Sequence, residues 1–463
     1  DLPPHLRGLN PSQLEAARHF RGPILVLAGA GTGKTRVLTC RVANLILEHK
    51  VKRQNILAVT FTNKATQEMR ERLHELLGGQ AQALWVSTFH SAALRILRRH
   101  AQQLGYTSNF TVYDDQDSKS LLKQVIKACD IDEKRNPLSD FARAIDQAKN
   151  NFISPEEFAQ GTAGLGADFS GNNPFAQAQA LRAEVYDKYQ RGLLKADAMD
   201  FGDLLMNVAA LFRLEPEVLA YYQHQLQFVL VDEYQDTNKV QYMFVEMLTR
   251  LHKNLLVVGD DDQSIYAFRG ASIQNILDFE TDFPQTKVVT LEQNYRSSAN
   301  VLEAAHAVIK HNLSRKKKKL WTDQSQGLPI RCYEGTDESE EARFIARTIV
   351  AHRQSGGKLR DIAIFYRINA QSRAIEEELI GAKIAYKIFG GLKFYERKEI
   401  KDIIAYLRLL ANENDDQSFM RIVNTPPRGI GAQTLQTLAR MAQQMRCSYL
   451  EAAEQMRRQH KGM

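Results

Sequence analysis

The chain has 463 residues, 44% hydrophobic and 25% charged, which is ample for buried cores in about three domains and ordinary for a soluble protein. No run of about 18 uninterrupted apolar residues is present, which excludes a transmembrane helix, and Asp1 to Gly8 lacks the basic-then-apolar order of a secretory signal. The net charge of +7 suits a polyanionic partner without identifying one, and Cys40, Cys129, Cys332 and Cys447 are scattered, which argues against a disulfide scaffold or zinc site and suits a reducing cytoplasm.

In chain order, Leu9 to Ala17 predicts a helix start with Ser12 as N-cap and Glu15 three residues on. Gln13 is either a surface residue or an amide that reaches a purine edge. Ile24 to Ala28 is an apolar, strand-like run. A small-residue loop follows, then Gly33-Lys34-Thr35 and a helical pattern through Val37, Leu38, Val42, Leu45 and Ile46. Strand, Ala-x-x-x-x-Gly-Lys-Thr and helix in that order describe a phosphate loop, with Ala28 where the pattern often has Gly. Small residues let backbone N–H groups close on a phosphate; Lys34 supplies charge to the β- and γ-phosphates, and the Thr35 hydroxyl suits Mg²⁺.

Ile56 to Thr62 predicts a second buried strand and Leu84 to Thr88 a third. Ligands of open parallel sheets sit at the carboxyl ends of strands. Phe61, Thr62, Asn63 and His90 fall there; Phe61 is either a core aromatic or a base platform, and His90 a structural histidine or part of the same surface. From about 92 to 200 helical periods dominate, with a Gly/Asn-rich break at Gly161 to Asn173 expected as a mobile loop. Asp200 to Leu204 begins the return. Phe228 to Asp236 reads as a strand ending in Asp232-Glu233. Paired carboxylates there call for a cation: Asp232 fits Mg²⁺, and Glu233 fits the base that activates water.

Leu255 to Gly259 predicts another buried strand. Gln263 after it suits a γ-phosphate sensor, and Tyr266, Phe268 and Arg269 suit stacking on single-stranded bases, although aromatics at that spacing are commonly core residues. Val288 to Leu291 is expected to open a second αβ domain. Arg296 beyond it is either an arginine finger or an ordinary surface arginine. Arg315 to Lys319 is a basic run, either a solvated face or a phosphate-backbone contact. Ile362 to Tyr366 and a segment ending Ile388-Phe389-Gly390-Gly391 predict further strands, with Gly390-Gly391 as a hinge. Ile400 to Leu410 and Leu435 to Met445 are helical, and Pro426 to Gly431 is a turn between helices whose glycine N–H groups suit a nucleic-acid backbone.

Taken together, these motifs resemble the UvrD/Rep/PcrA group of superfamily 1 DNA helicases, from Leu9 to about Leu438. The resemblance rests on Leu9 to Ala17, Gly33-Lys34-Thr35, Val59 to Ala65, Ser87 to His90, Val231 to Asp236, Gly259 to Gly270 and Gln293 to Ser298 in this order. It implies an α/β fold of two RecA-like P-loop motor domains with parallel sheets and mainly helical inserted subdomains. The expected domains are 1–91 and 200–278 for the first motor, 92–199 for its insertion, 279–390 for part of the second motor and 391–463 for the start of a second insertion.

The implied activity is ATP-dependent 3′-to-5′ translocation on single-stranded DNA, with strand unwinding at single/double-strand junctions in cytoplasmic DNA repair or replication. The implied cofactors are ATP and Mg²⁺, and the implied state is a monomer or weak dimer. By position, Gln13 would read adenine and Tyr295 stack on it. Ala30, Gly31, Thr32, Gly33, Lys34, Thr35 and Arg36 would hold the nucleotide, and Thr35 and Asp232 the metal. Glu233, Lys34, Gln263 and Arg296 would carry the chemistry, and Phe61, Thr62, Asn63, His90, Tyr266, Phe268 and Arg269 would face DNA. Phe268 stands where relatives often have Trp, so a smaller stacking face is expected. The family continues into a Gly-Leu-Glu-Phe-like stretch and a second γ-phosphate arginine, so this sequence is expected to be truncated inside the second insertion. Two alternatives follow: an ATP- and DNA-binding fragment with little turnover, or the motor part of an AddA/RecB-like helicase–nuclease.

Overall fold

The computed structural model describes residues 2–166, 174–312, 315–316, 318–389 and 398–461. Among the described residues there are eight strands: β1 (Ile24–Ala28), β2 (Ile56–Thr60), β3 (Trp85–Thr88), β4 (Thr111–Val112), β5 (Ala198–Met199), β6 (Phe228–Val231), β7 (Leu255–Gly259) and β8 (Lys287–Leu291). Six of them form one parallel sheet in the order β3-β2-β6-β7-β1-β8, and β4 and β5 pair separately. The strands are apolar runs because helices cover both sheet faces. Leu25, Leu27, Leu57, Val59, Val229, Val231, Leu255 and Val257 enter one core with helices Phe89–His100 and Phe201–Leu214. The alternating Ile24, Val26, Ile56, Ala58, Leu230, Leu256 and Val258 enter the other with helices Lys34–Leu47 and Asn63–Leu77. Each fully buried aliphatic side chain contributes about 1.5–3 kcal/mol, so the two layers together hold the sheet.

Several expectations change. The second strand stops at Thr60, because the Thr62 hydroxyl turns to accept the Ala65 N–H and cap the next helix. The first helix is capped by Asn10 rather than Ser12: Asn10 accepts from the Gln13 N–H and Gln13 accepts from the Asn10 N–H, with Pro11 in the first turn. Val288–Leu291 does not open a second sheet; it lies in register against β1, from Ile24 with Lys287 to Ala28 with Leu291. Apolar strand residues there find a partner in the exposed edge of β1. Part of the Gly161–Asn173 break is helical, continuing helix Pro155–Gly166, and its remainder lies outside the described residues.

The helical insertion has its own core, from Tyr113, Leu122, Ile126, Phe141 and Ile145 to Tyr186, Tyr189 and Leu193. Phe89, Ala92, Ala93, Ile96 and Leu97 belong instead to the core under the main sheet. Helices Lys398–Ala411 and Asp416–Ile422 hold the insertion from the far end of the chain. Tyr113 donates to Asp415, Arg408 pairs with Asp117 at 2.6 Å, and Asn412 donates to Thr111 Oγ1 and to the Ala196 and Asp197 carbonyls.

Residues Gln326–Lys401 form a separate compact unit. Helices Glu338–Gln354 and Ser372–Gly381 enclose a small core of Ala346, Ile349, Leu379 and Ile384. Ile362–Tyr366 and the segment to Phe389 are not strands among the described residues: no neighbour offers a hydrogen-bond ladder, and Phe365 is 92% exposed. The Gly390-Gly391 hinge lies outside the described residues.

Where the insertion returns to the sheet, Lys149 is buried with its ammonium 2.7 Å from both Asp200 Oδ2 and Asp203 Oδ1. Burial and the charge of Asp200 push the Asp203 carboxyl up to about 6, while Lys149 pulls Asp200 below the ordinary range against its own burial. Lys149→Met leaves two buried carboxylates unpaired and is expected to cost about 3–5 kcal/mol. A carboxyl whose folded pKa is raised binds more protons folded than unfolded, so its stability falls as pH rises through that window. The thermal midpoint deficit of Lys149→Met against the parent chain should therefore be larger at pH 8 than at pH 5; an equal deficit at both would contradict this account.

Candidate nucleotide and nucleic-acid site

A parallel sheet delivers the loops that follow its strands to one edge. Here that edge collects the loop after β1, Phe61 after β2, His90 after β3, Asp232-Glu233 after β6, Gln263 after β7 and Asn294 to Arg296 after β8. The first of these is clamped by its carbonyls. Gly29 accepts from the Thr32 hydroxyl at 2.8 Å, Ala30 from Asn294 Nδ2 at 2.6 Å, Gly31 from the Tyr295 N–H at 3.0 Å and Thr32 from Gln13 Nε2 at 2.8 Å. A trans peptide sets its N–H opposite its C=O, so the amides of Ala30, Gly31 and Gly33 each point away from these partners. Gly31 has φ +71°, and a Cβ on it would come within 2.6 Å of Asn294 Nδ2, so no side chain fits there. Gly33, at φ +86°, starts the helix that carries Lys34 and Thr35, whose amino-terminal end adds partial positive charge. Arg36 is exposed and donates to the Arg7 carbonyl.

Lys34 reaches across to Glu233, Nζ to Oε2 at 2.8 Å. Burial works to raise the Glu233 pKa, but the Lys34 ammonium outweighs it and the carboxyl is held below the ordinary range. Glu233 sits at φ +49°, a left-handed conformation that costs a non-glycine residue energy and is common at functional sites. Its neighbour Asp232 is 5% exposed and accepts from the Glu233 N–H. Burial first, then the Glu233 charge, push Asp232 up to about 6 despite Lys34. An oxygen donor pair of Thr35 hydroxyl and Asp232 carboxylate, with local negative charge left uncompensated, fits Mg²⁺ chemistry.

Gln13 is 1% exposed, so it is not a surface residue. Tyr295 stands beside the same helix start: Asn10 Nδ2 donates to its hydroxyl at 2.9 Å, and that hydroxyl donates to Gln293. Arg296 is exposed on the loop after β8, next to Gly31, and so follows the edge strand of the main sheet.

Two residues missed by sequence reasoning complete the edge. Gln235, 1% exposed, donates to Glu233 Oε2 at 3.0 Å and to Asp236, while its Oε1 accepts the Asp260 N–H at 2.9 Å. It thereby ties the end of β6 to the end of β7. The only signal for it was an amide set among the acids of Asp232 to Asp236. Asn294 clamps the phosphate loop, and nothing in its local sequence marks a partner 264 residues away. Beyond β7, Gln263 Nε2 donates to Asp260 Oδ2.

The aromatic residues divide. Phe61 and Tyr266 have ring centroids 5.2 Å apart, Tyr266 and Phe268 5.9 Å, and the Arg269 guanidinium lies 5.5 and 5.6 Å from the latter two rings. Phe268 is 72% exposed, so this group is a surface platform rather than core. His90 joins Phe201 instead, edge-on at 5.9 Å, and burial lowers its pKa. Thr62 is engaged as a helix cap, and Asn63 is exposed in the first turn of that helix.

The basic run divides: three of its residues meet carboxylates, and Lys319 is exposed. Arg315 pairs with Asp262 at 2.7 Å, Lys316 with Glu280, and Lys318 is buried among Asp260, Asp261 and Asp262. Lys317 lies outside the described residues.

Comparison with known proteins agrees with this geometry. Residues 9–284 match the UvrD/REP helicase N-terminal domain, and residues 289–460 match the UvrD-like helicase C-terminal domain. ATP-dependent DNA helicase PcrA of Staphylococcus epidermidis is 49% identical over 447 residues, covering 96% of this chain and 60% of that protein. Its namesake in Bacillus subtilis is 48% identical over 452 residues, with 97% and 60% covered, and that of Staphylococcus aureus 48% over 447 residues. The chain thus spans 60% of the length of these relatives. With both matches in order along one chain, and the phosphate loop, the acidic strand end and the aromatic face on one sheet edge, the chain belongs to the UvrD/Rep helicase family.

Proposed function

We propose that this chain binds and hydrolyses ATP at the Lys34–Glu233 edge and uses it to move 3′-to-5′ along single-stranded DNA, opening duplex at junctions in repair or replication. The observation that carries this reading is the continuous polar chain from Lys34 through Glu233, Gln235 and Asp260 to Gln263, which leads toward the turn bearing Tyr266, Phe268 and Arg269.

In this reading the turned amides of the phosphate loop and Lys34 hold the β- and γ-phosphates. Lys34 exchanges Glu233 for phosphate when nucleotide enters, which frees the carboxylate to orient and deprotonate water. Thr35 and Asp232 would hold Mg²⁺, which would supply charge neutralisation on the phosphates. Arg296, exposed beside Gly31, meets the γ-phosphate, and Gln263 links it to the DNA face. Tyr295 stacks on adenine. Gln13 keeps one amide proton and one lone pair beyond its bonds to Thr32 and Asn10, enough to contact the base. Phe61, Tyr266, Phe268 and Arg269 stack on bases, with His90, Thr62 and Asn63 along the same edge. Among the described residues no helix is long and apolar enough to cross a membrane.

Two outcomes test this. Lys34→Ala should abolish ATP turnover, and Glu233→Gln should remove turnover that single-stranded DNA stimulates in the parent chain while leaving nucleotide binding. Nucleotide binding with no DNA response in the parent would make the chain a binding module instead. Phe268→Ala should weaken single-stranded DNA by about 1–3 kcal/mol in a fluorescence titration, with little dependence on base sequence. An unchanged affinity would remove Phe268 from the DNA face.

A further inference from the structure

The turn after β7 places three successive carboxylates, Asp260, Asp261 and Asp262, with ligand oxygens within 4.8 Å of one another. Such a cluster can accept a metal ion, but here the chain supplies its own cation. Lys318 Nζ lies 2.9 Å from Asp260 Oδ1 and 2.9 Å from Asp262 Oδ2, and it bonds Asp261 Oδ1. An ammonium has three donors, and each meets one carboxylate. The Lys318 side chain is 2% exposed, so these bonds form largely out of water. Arg315 adds a second contact to Asp262, and the Lys316 N–H donates to Asp261 Oδ2.

Asp260 faces two ways. One oxygen takes Lys318, and the other takes the Gln263 side-chain amide at 2.5 Å. Its backbone N–H continues through Gln235 to Glu233 and Lys34. The rotamer of Gln263 therefore depends on a carboxylate whose own direction is held by a lysine 58 residues further along the chain.

We propose that Lys318 is a positioning residue for nucleotide–DNA coupling: its ammonium fixes the Asp260 carboxylate, which holds the Gln263 amide between the nucleotide edge and the aromatic face. This rests on reading Gln263 as the link to the γ-phosphate. A purely structural lysine would affect stability alone, whereas a positioning lysine affects how one ligand alters the binding of the other.

The test is the affinity of a fluorescent single-stranded oligonucleotide for the 463-residue chain, with and without a non-hydrolysable ATP analogue. The ratio of the two affinities is the coupling, expected to be about fivefold or more in the parent. Lys318→Met should bring the ratio toward unity while each ligand alone binds much as in the parent. Gln263→Ala should also bring the ratio toward unity, and adding Lys318→Met to it should change the ratio no further. Asp260→Ala, which leaves Lys318 two carboxylates, should also lose the ratio; it decides the matter if Lys318→Met fails to fold. Parental coupling in Lys318→Met or Asp260→Ala, with loss in Gln263→Ala, overturns the positioning role, whatever the thermal midpoints. Parental coupling in Gln263→Ala, or none in the parent chain, removes the Gln263 reading and this inference with it.

Discussion

Burying carboxylates at the ends of two adjacent strands is the constraint on which this structure turns. Asp232, Glu233 and Asp236 follow β6, and Asp260, Asp261 and Asp262 follow β7. Removing such groups from water is costly unless cations and hydrogen bonds replace the lost hydration. The cations come from the loops on the other side, Lys34 after β1 and Lys318 after β8. The balance is incomplete: burial, with the Glu233 charge, raises both Asp232 and Asp236 to about 6. That edge is left short of positive charge, and perturbed carboxylates of this kind gather at functional sites rather than where stability is greatest.

The same arithmetic of charge explains why Lys34 bonds Glu233. The pair holds the Glu233 carboxylate in place, and in the proposed mechanism it opens when nucleotide competes for the lysine. Gln235 then has a clear physical purpose. Its amide donates to Glu233 and accepts from the Asp260 backbone, so a change at Glu233 reaches the turn after β7 through two hydrogen bonds.

Placement of β8 beside β1 has wide consequences. It brings Asn294 and Tyr295 onto the carbonyls of the phosphate loop and Lys318 onto the turn after β7. Residues expected from a second domain therefore help to build the first. In Gln326–Lys401 the segments read as strands lack partners among the described residues, and Phe365 and Phe389 stay in water.

Much was legible in the sequence because it depends on local chemistry. Apolar runs bounded by small or acidic residues marked every strand of the main sheet, and Gly33-Lys34-Thr35 and Asp232-Glu233 stand, as read, beyond strand ends on one sheet edge. What the sequence by itself determined was the family of site and the order of its parts. Only the tertiary structure decided which strand neighbours which, that Asn10 rather than Ser12 caps the first helix, that His90 keeps company with Phe201 rather than with Phe61, and that Lys318 of the basic run is an internal counter-ion instead of a surface lysine. A lysine in a charged run looks the same whether it meets water or three carboxylates 56 to 58 residues earlier in the chain; burial separates the two cases, and burial is a property of packing.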